Sequence, residues 1–267
     1  MGNPAATTFT GPQYYDAYLG PAQFGPFAQR LALCMPVQPP GDVLELACGT
    51  GLLTRELHAR LARDVKIVAT DLSKPMLDYA AAKSPAMERV EWREADMMSL
   101  PFEDGRFGAV ACAFGIMFPP DRAAALREAR RVLKPGGWLV LSVWDRIEDN
   151  TASYANAQAL ESLFPGDPEI RFRLPFELHD PQALQSLVEA AGFGAVSIEK
   201  SRYEVRDADP REIAIGQIRG TPRCALIEKK GVAIDEAIDR VAAALAAQGG
   251  SPYNGHVQGF LLTARAA

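Results

Sequence analysis

The sequence predicts an α/β fold with an open, doubly wound sheet, and three observations predict it. Strand-like and helix-like runs alternate through five strands between Asp42 and Trp144. A glycine-bearing turn, Ala47-Cys48-Gly49-Thr50-Gly51, stands at the first junction of strand and helix. The run Phe107–Phe114 is nearly all apolar, as a central strand covered on both faces must be. Such alternation implies parallel strands joined by helical crossovers.

Each element follows in order. Met1–Pro12 is small and polar, with no basic stretch leading into an apolar run, so no signal peptide is expected. Tyr14, Tyr15, Tyr18, Phe24 and Phe27 crowd the segment after it, where a helix is expected around Phe24–Cys34, ending before Pro36. Asp42–Ala47 is the first strand. Leu53, Leu57 and Leu61 recur every four residues and mark one face of a helix over Leu52–Arg63. Val65–Thr70 is the second strand, and Ser73 is placed to cap a helix through Met76, Leu77 and Ala80. Val90–Ala95 alternates as a third strand, and Phe107–Phe114 is the fourth. Asp121 caps a helix to Val132, closed by Lys134-Pro135-Gly136-Gly137, and Trp138–Trp144 is the fifth strand. Beyond it Thr151–Phe164 is helical in pattern. Asp180 caps a helix over Pro181–Ala191 that Gly192 ends. Ala195–Val205 and His256–Ala264 read as strands. The roughly fifty residues between those two strands are too many for a plain loop, and Val232–Ala247 is helical in pattern, so a helical insertion is expected there.

Composition narrows the function. Of 267 residues, 48% are hydrophobic and 23% charged, an ordinary globular balance. The net charge of −5 offers no broad basic surface, so nucleic acid is not an expected partner. No run approaches the ~18 apolar residues of a membrane span. Cys34, Cys48, Cys112 and Cys224 lie far apart and only three histidines are present, so no metal centre is expected. Free thiols point to a reducing, cytoplasmic setting.

The chemistry gathers at the glycine turn. Open α/β sheets bind ligands at the carboxyl ends of their strands, and glycine lets backbone approach a ligand closely. A bare glycine pair also suits an ordinary tight turn; its place between strand and helix favours a ligand. Asp71 stands twenty positions after Gly51 at the end of the second strand, where a carboxylate can accept from both hydroxyls of a ribose. The same acid would also favour a helix dipole. A dinucleotide fingerprint starting at Gly49 needs a small third residue where Thr54 stands, so the ligand expected is a nucleoside without phosphates.

At this point the sequence resembles a family. Val43–Gly51 (VLELACGTG) is similar to the first motif of class I S-adenosylmethionine-dependent methyltransferases. The likeness continues through Val68–Met76 (VATDLSKPM), Glu94–Phe102 (EADMMSLPF), Phe107–Phe118 (FGAVACAFGIMF) and Leu126–Leu141 (LREARRVLKPGGWLVL), about residues 41–145 in all. It resembles most the small-molecule branch that includes quinone- and sterol-methylating enzymes. Ala47 stands where many members have the first glycine.

The resemblance implies a Rossmann-like, mixed seven-stranded sheet with the last strand antiparallel, plus an N-terminal cap and helical lid insertions. It implies one domain over 1–267, with the cap at 1–40, the cofactor-binding core at 41–145 and insertions at 146–178 and 206–252. The implied cofactor is S-adenosylmethionine. Backbone at Ala47, Cys48, Gly49 and Gly51 would cradle it, with Glu45 orienting the loop or an amine of the cofactor. Asp71 would hold the ribose, Leu72 and Met76 would pack on the adenine, and Asp96 with Met97 would meet the adenine amino group. Ala113 and Phe114 would line the sulfonium side. Met76 is equally a helix-face core residue. Tyr14, Tyr15 and Tyr18, with Tyr14 and Tyr18 foremost, would cover the cofactor and favour its cation, or would simply pack a surface helix.

The expected partner is a small, partly hydrophobic methyl acceptor. No base is obvious: His58, His179 and His256 all suit local roles. Ala113-Phe114-Gly115-Ile116 lacks the Asn/Asp-Pro-Pro-aromatic signature of enzymes that methylate nucleic acid amino groups. The same motifs would also serve a cofactor-binding protein without methyl transfer, and an NAD-type oxidoreductase is the third reading. Acceptor atom and oligomeric state are open.

Overall fold

The computed structural model describes residues 10–267; most of the stretch read for a signal peptide lies outside the described residues. Among them is one seven-stranded sheet in the order β3-β2-β1-β4-β5-β7-β6. The strands are β1 (Val43–Leu46), β2 (Ile67–Asp71), β3 (Val90–Glu94), β4 (Phe107–Ala113), β5 (Leu133–Trp144), β6 (Phe193–Ala208) and β7 (Tyr253–Ala266). β1 to β5 run parallel, and β7 is antiparallel to both β5 and β6. The last strand is therefore the antiparallel one, as the resemblance implied.

The helices are α1 (Gly11–Tyr14), α2 (Gly25–Leu33), α3 (Leu52–Arg60), α4 (Lys74–Lys83), α5 (Arg122–Val132), α6 (Thr151–Glu161), α7 (Pro181–Ala190), α8 (Pro210–Arg219), α9 (Arg223–Lys229) and α10 (Ile234–Gly249). The crossover β1-α3-β2 moves one way along the sheet and β4-α5-β5 the other. Right-handed connections then put α3 and α5 on opposite faces. The strand order reverses between β1 and β4, which opens a crevice at their carboxyl ends. All four residues of β1 are buried, Glu45 among them, as is β4 from Phe107 to Cys112, which explains the unbroken apolar sequence of β4.

Four local expectations differ in detail. Ser73 occupies the N-cap of α4, but its side chain makes no capping bond. Lys134-Pro135-Gly136-Gly137 belongs to the start of β5. Phe107 pairs with Leu133 and Ala109 with Trp138, so these residues loop out as a bulge rather than ending a helix. α6 stops at Glu161, three residues before Phe164. The N-terminal helix begins far earlier than Phe24: a π-helical run, Tyr15–Phe24, joins α1 to α2. Pro21 inside it has no N–H to give, and Gly25 N–H reaches back to Gly20 O, the wide i to i−5 register. Asp121 and Asp180 do cap as expected, accepting from Ala124 N–H and Gln182 N–H.

The segments after β5 and β6 emerge at the carboxyl end of the sheet. There α10 packs on α6 and α8, and α8 packs on the π-helical run. Gly216 makes that last contact possible, since a Cβ on it would lie 2.7 Å from Tyr18 Cβ. Among the described residues no helix is long and apolar enough to cross a membrane, and no group of three or more His, Cys, Asp or Glu is arranged to hold a metal ion.

Candidate functional site

The turn after β1 is a left-handed staircase. Ala47, Gly49 and Gly51 have φ of 52°, 55° and 79°. Only glycine takes this region freely, so Ala47 holds mild strain there. Cys48 N–H still bonds Thr70 O at 2.9 Å, which keeps the turn on the sheet, and Gly51 N–H closes it on Cys48 O at 2.9 Å. Gly51 ends the turn as the N-cap of α3, and a Cβ on it would lie 3.1 Å from the Trp92 ring. Gly49 is the opposite case: a Cβ there would meet nothing within 4 Å. Its half-buried backbone borders open space at the crevice.

Asp71 fixes the staircase from β2. Its Oδ2 accepts from Gly49 N–H at 2.8 Å and its Oδ1 from Ser73 N–H at 2.8 Å. Each oxygen keeps a further lone pair for another donor. Beneath the turn, Glu45 is 1% exposed and its Oε2 has no partner. Burial, reinforced by the nearby Asp71 charge, pushes its pKa up to about 8, while Thr54 and Arg55 on α3 pull the other way. A buried carboxyl with an unpartnered oxygen is a place for an incoming donor.

These groups open on a cleft of about 380 Å³, its mouth included. Six of the sequence-predicted residues line it: Glu45, Ala47, Cys48, Gly49, Ala113 and Phe114. Gly51 and Asp71 stand directly behind. The others lie beside it. Leu72 is 68% exposed at the end of β2, and Met76 is half-buried on α4. Asp96 accepts from Met98 N–H at 2.8 Å, and Met97 reaches the Gly115 side of the turn.

Of the three N-terminal tyrosines, Tyr15 lines the cleft. Tyr15 and Phe24 line the cleft, stacked with ring centroids 5.1 Å apart. Tyr14 and Tyr18 instead stack on each other at 6.2 Å, with Arg219 of α8 over Tyr14. Burial, with Asp71 and Asp16 near, pushes the Tyr15 phenol upward, so it stays protonated. On the far side Phe114, held at φ 53° after β4, stacks on Trp144 at 3.8 Å, and Phe24 meets both rings edge-on or tilted. Sequence reading placed Tyr15 beside Tyr14 and Tyr18 without choosing among them, and did not single out Phe24, Ala28, Thr50, Leu52 or Leu53 as lining residues. Thr50 and Leu52 follow from the glycine turn itself, whereas nothing in the tyrosine pattern singles out Tyr15.

Asp16 locks the π-helical run over the site. Its side chain is 4% exposed and is bound by Lys83, by Arg55 at 3.2 Å and by Tyr79 OH at 3.2 Å. Arg55 also donates to Thr50 O at 2.9 Å, so one guanidinium ties the cap to the turn. Burial works against the Asp16 charge, but Lys83 and Arg55 outweigh it and hold its pKa below the usual range. The histidines lie elsewhere: none lines the cleft, and His179 Nδ1 pairs locally with Phe176 O at 2.9 Å.

Comparison with known proteins adds to this geometry. Residues 43–137 match the family model described as a methyltransferase domain. Demethylmenaquinone methyltransferases of Staphylococcus aureus, strains JH9 and Newman among them, are 38% identical over 112 residues, 42% of this chain. The match spans 46% of the length of those relatives. Among solved structures, a putative methyltransferase of Bacillus halodurans superposes with a TM-score of 0.58 at 19% identity, covering 89% of this chain and 97% of that one. A Haemonchus contortus phosphoethanolamine N-methyltransferase 2 in complex with S-adenosyl-L-methionine gives 0.61 at 18% identity, covering 98% of this chain and 59% of that one. The cyclase SpnF shares the fold at a TM-score of 0.56 and 21% identity, covering 90% of this chain and 80% of that one.

Proposed function

We propose that the chain is a class I, S-adenosylmethionine-dependent methyltransferase acting on a small, partly hydrophobic acceptor, a reading supported by the match of residues 43–137 to the methyltransferase domain. One observation carries the reading. The open backbone of Gly49, the unpartnered Glu45 Oε2 and the Asp71 carboxylate converge at one turn. That set suits a ligand with a cationic amine and a ribose, and no phosphate.

When bound, S-adenosylmethionine supplies a methyl group on a cationic sulfur that leaves readily. The chain's own residues bind and align. Glu45 Oε2 accepts from an ammonium. The second lone pairs of Asp71 accept from ribose hydroxyls. Leu72 and Met76 flank a base, and Asp96 accepts from its amino group. Ala113 and Phe114 face the transferring side, where Tyr15, Phe24 and Phe114 leave an apolar, water-poor surface for the acceptor. The residues lining the cleft include no histidine, so the chain works mainly by orientation, which can supply ~7–11 kcal/mol of a barrier. Segments 146–178 and 206–252 complete the acceptor side of a single domain, with residues 10–40 as its cap.

The cyclase SpnF has the same fold, which supports a second reading: cofactor binding without methyl transfer. Two measurements test both. Titration calorimetry with S-adenosylhomocysteine and with NAD should show binding of the first only. Radiolabelled methyl turnover on a metabolite panel should then find an acceptor; tight cofactor binding with no turnover would favour the second reading.

A further inference from the structure

The lid layer holds a polar cluster that the cofactor cleft does not use. α8, which carries Gln217, packs on α6 and on α9, and Arg223 of α9 reaches Asn156 of α6. Asn156 is 0% exposed and Gln217 is 3% exposed. The Arg223 guanidinium donates to Asn156 Oδ1 and to Phe172 O, each at 3.1 Å, and lies over the Phe172 ring at 5.5 Å. The carboxylate whose field reaches it, Glu161, is engaged by Arg173 at 2.8 Å. Among the described residues no carboxylate forms an ion pair with Arg223, and burial of its guanidinium pushes its pKa down to about 10 against the pull of Glu161.

The amides around it are unfinished. Asn156 Nδ2 and both amide atoms of Gln217 have no partner. Thr221 links the two helices, donating to Gln217 O at 2.7 Å and accepting from Arg223 N–H at 3.4 Å. Buried donors and an unpaired cation are costly unless something accepts from them.

A run of aromatic side chains leads from the cluster toward the cleft. Phe172 and Phe176 lie on one lid loop, and the Phe176 ring is 6.1 Å from Trp144, which stacks on the cleft residue Phe114. α8 meanwhile rests on the cap, with Gly220 against Tyr15 backbone.

We propose that Arg223, Asn156 and Gln217 form a subsite for a carboxylate carried by the methyl acceptor. One guanidinium balances one negative charge, and a planar carboxylate can take Arg223 and an amide N–H together. The acceptor is then amphipathic: an apolar body against the aromatic wall and an acid end in the lid. Calling the ligand an acceptor rests on the methyl-transfer reading; the carboxylate site itself does not.

The test uses 2-naphthoate and its neutral twin 2-naphthamide, titrated by calorimetry into the full chain with and without S-adenosylhomocysteine. The carboxylate should bind about tenfold tighter or more, as a charge-assisted hydrogen bond allows. Arg223→Gln should level the two probes and Arg223→Lys should keep part of the difference. Asn156→Asp places a counter-charge beside Arg223 and should also abolish the preference, without depending on how well Arg223→Gln folds. Equal affinity of the two probes for the wild-type chain, absence of binding by both, or a preference that survives Asn156→Asp overturns the subsite. S-adenosylhomocysteine binding is read separately: its absence with the carboxylate preference intact removes the methyl-donor reading and leaves the subsite standing.

Discussion

Asp71 and Gly49 are joined across two strand ends: the Gly49 N–H donates to Asp71 Oδ2 at 2.8 Å. The other oxygen takes Ser73 N–H at the same distance. One carboxylate therefore shapes the glycine turn and the start of α4, and both borders belong to the proposed cofactor site. Removing it leaves two backbone donors unmatched as well as the ribose. Asp71→Ala should weaken S-adenosylhomocysteine binding by roughly 10- to 100-fold, the range for one or more bonds to a charged group. Asp71→Asn should lose nearly as much, because its NH2 cannot accept from the second N–H. Calorimetry on folded variants checks this; an unchanged Kd for both would remove Asp71 from the site.

Glu45 makes cofactor binding depend on pH. Its pKa in the free protein is pushed up to about 8 by burial, so the carboxyl is largely neutral at pH 6 to 7. A bound ammonium favours the carboxylate, so binding expels a proton. Affinity for S-adenosylhomocysteine should rise with pH from 6 and level off near 8, by up to about tenfold per unit. Stability of the free chain runs the other way. The folded state holds this proton where the unfolded chain does not, so the contribution is full below the unfolded value of 4.5 and is lost as pH rises through about 8. Glu45→Gln should flatten both profiles; a pH-independent Kd in the wild type would show that Glu45 does not meet the amine.

Much of this could be read from the sequence because the core strands had no alternative. β4 is apolar at nearly every position since both its faces are covered, and Asp121 and Asp180 announce their helices by capping them. Ser73 is the N-cap residue of α4 as expected, but its hydroxyl makes no capping bond, while its N–H donates to Asp71. Tyr14 and Tyr18 share an α-helical face by spacing, and they do stack, but toward α8. The π register around Pro21 turns Tyr15 and Phe24 to the cleft instead, and no spacing rule signals that register in advance. The lid cluster was invisible because single Asn, Gln and Arg residues on separate helices carry no pattern until those helices pack.

Ala47 and Gly115 test how tightly the turn is packed against the end of β4. A Cβ on Gly115 would lie 2.5 Å from Ala47 Cβ and 2.8 Å from Cys112 Sγ. Gly115→Ala should therefore cost about 1–3 kcal/mol of stability by overpacking. Ala47→Gly alone should change stability by less than about 1 kcal/mol, since relief at positive φ offsets added chain freedom. The double variant should recover part of the loss, with Cys112 keeping the rest. Denaturant midpoints around the four-variant cycle measure the coupling, and strict additivity would mean that the two residues do not touch.

Asp16 predicts how the cap is held. Lys83, Arg55 and Tyr79 converge on a carboxylate that is nearly out of water, and Arg55 carries the link on to Thr50 in the turn. Asp16→Asn removes the charge and leaves the two cations facing an amide. The loss should be roughly 1–3 kcal/mol, below that of a fully buried pair because the Lys83 side chain is 43% exposed. Hydrogen exchange in residues 11–24 should speed up before the sheet loosens, and S-adenosylhomocysteine should dissociate faster. The pH dependence has a definite sign. The folded pKa of Asp16 is depressed, so the clamp is present above the ordinary carboxylate value and is lost as pH falls through the lower, folded one. In the wild type, exchange in residues 11–24 should stay slow at neutral pH and accelerate only in acid. In Asp16→Asn it should be fast at both. Equal protection in the two proteins at neutral pH would show that the cap is held by its aromatic contacts alone.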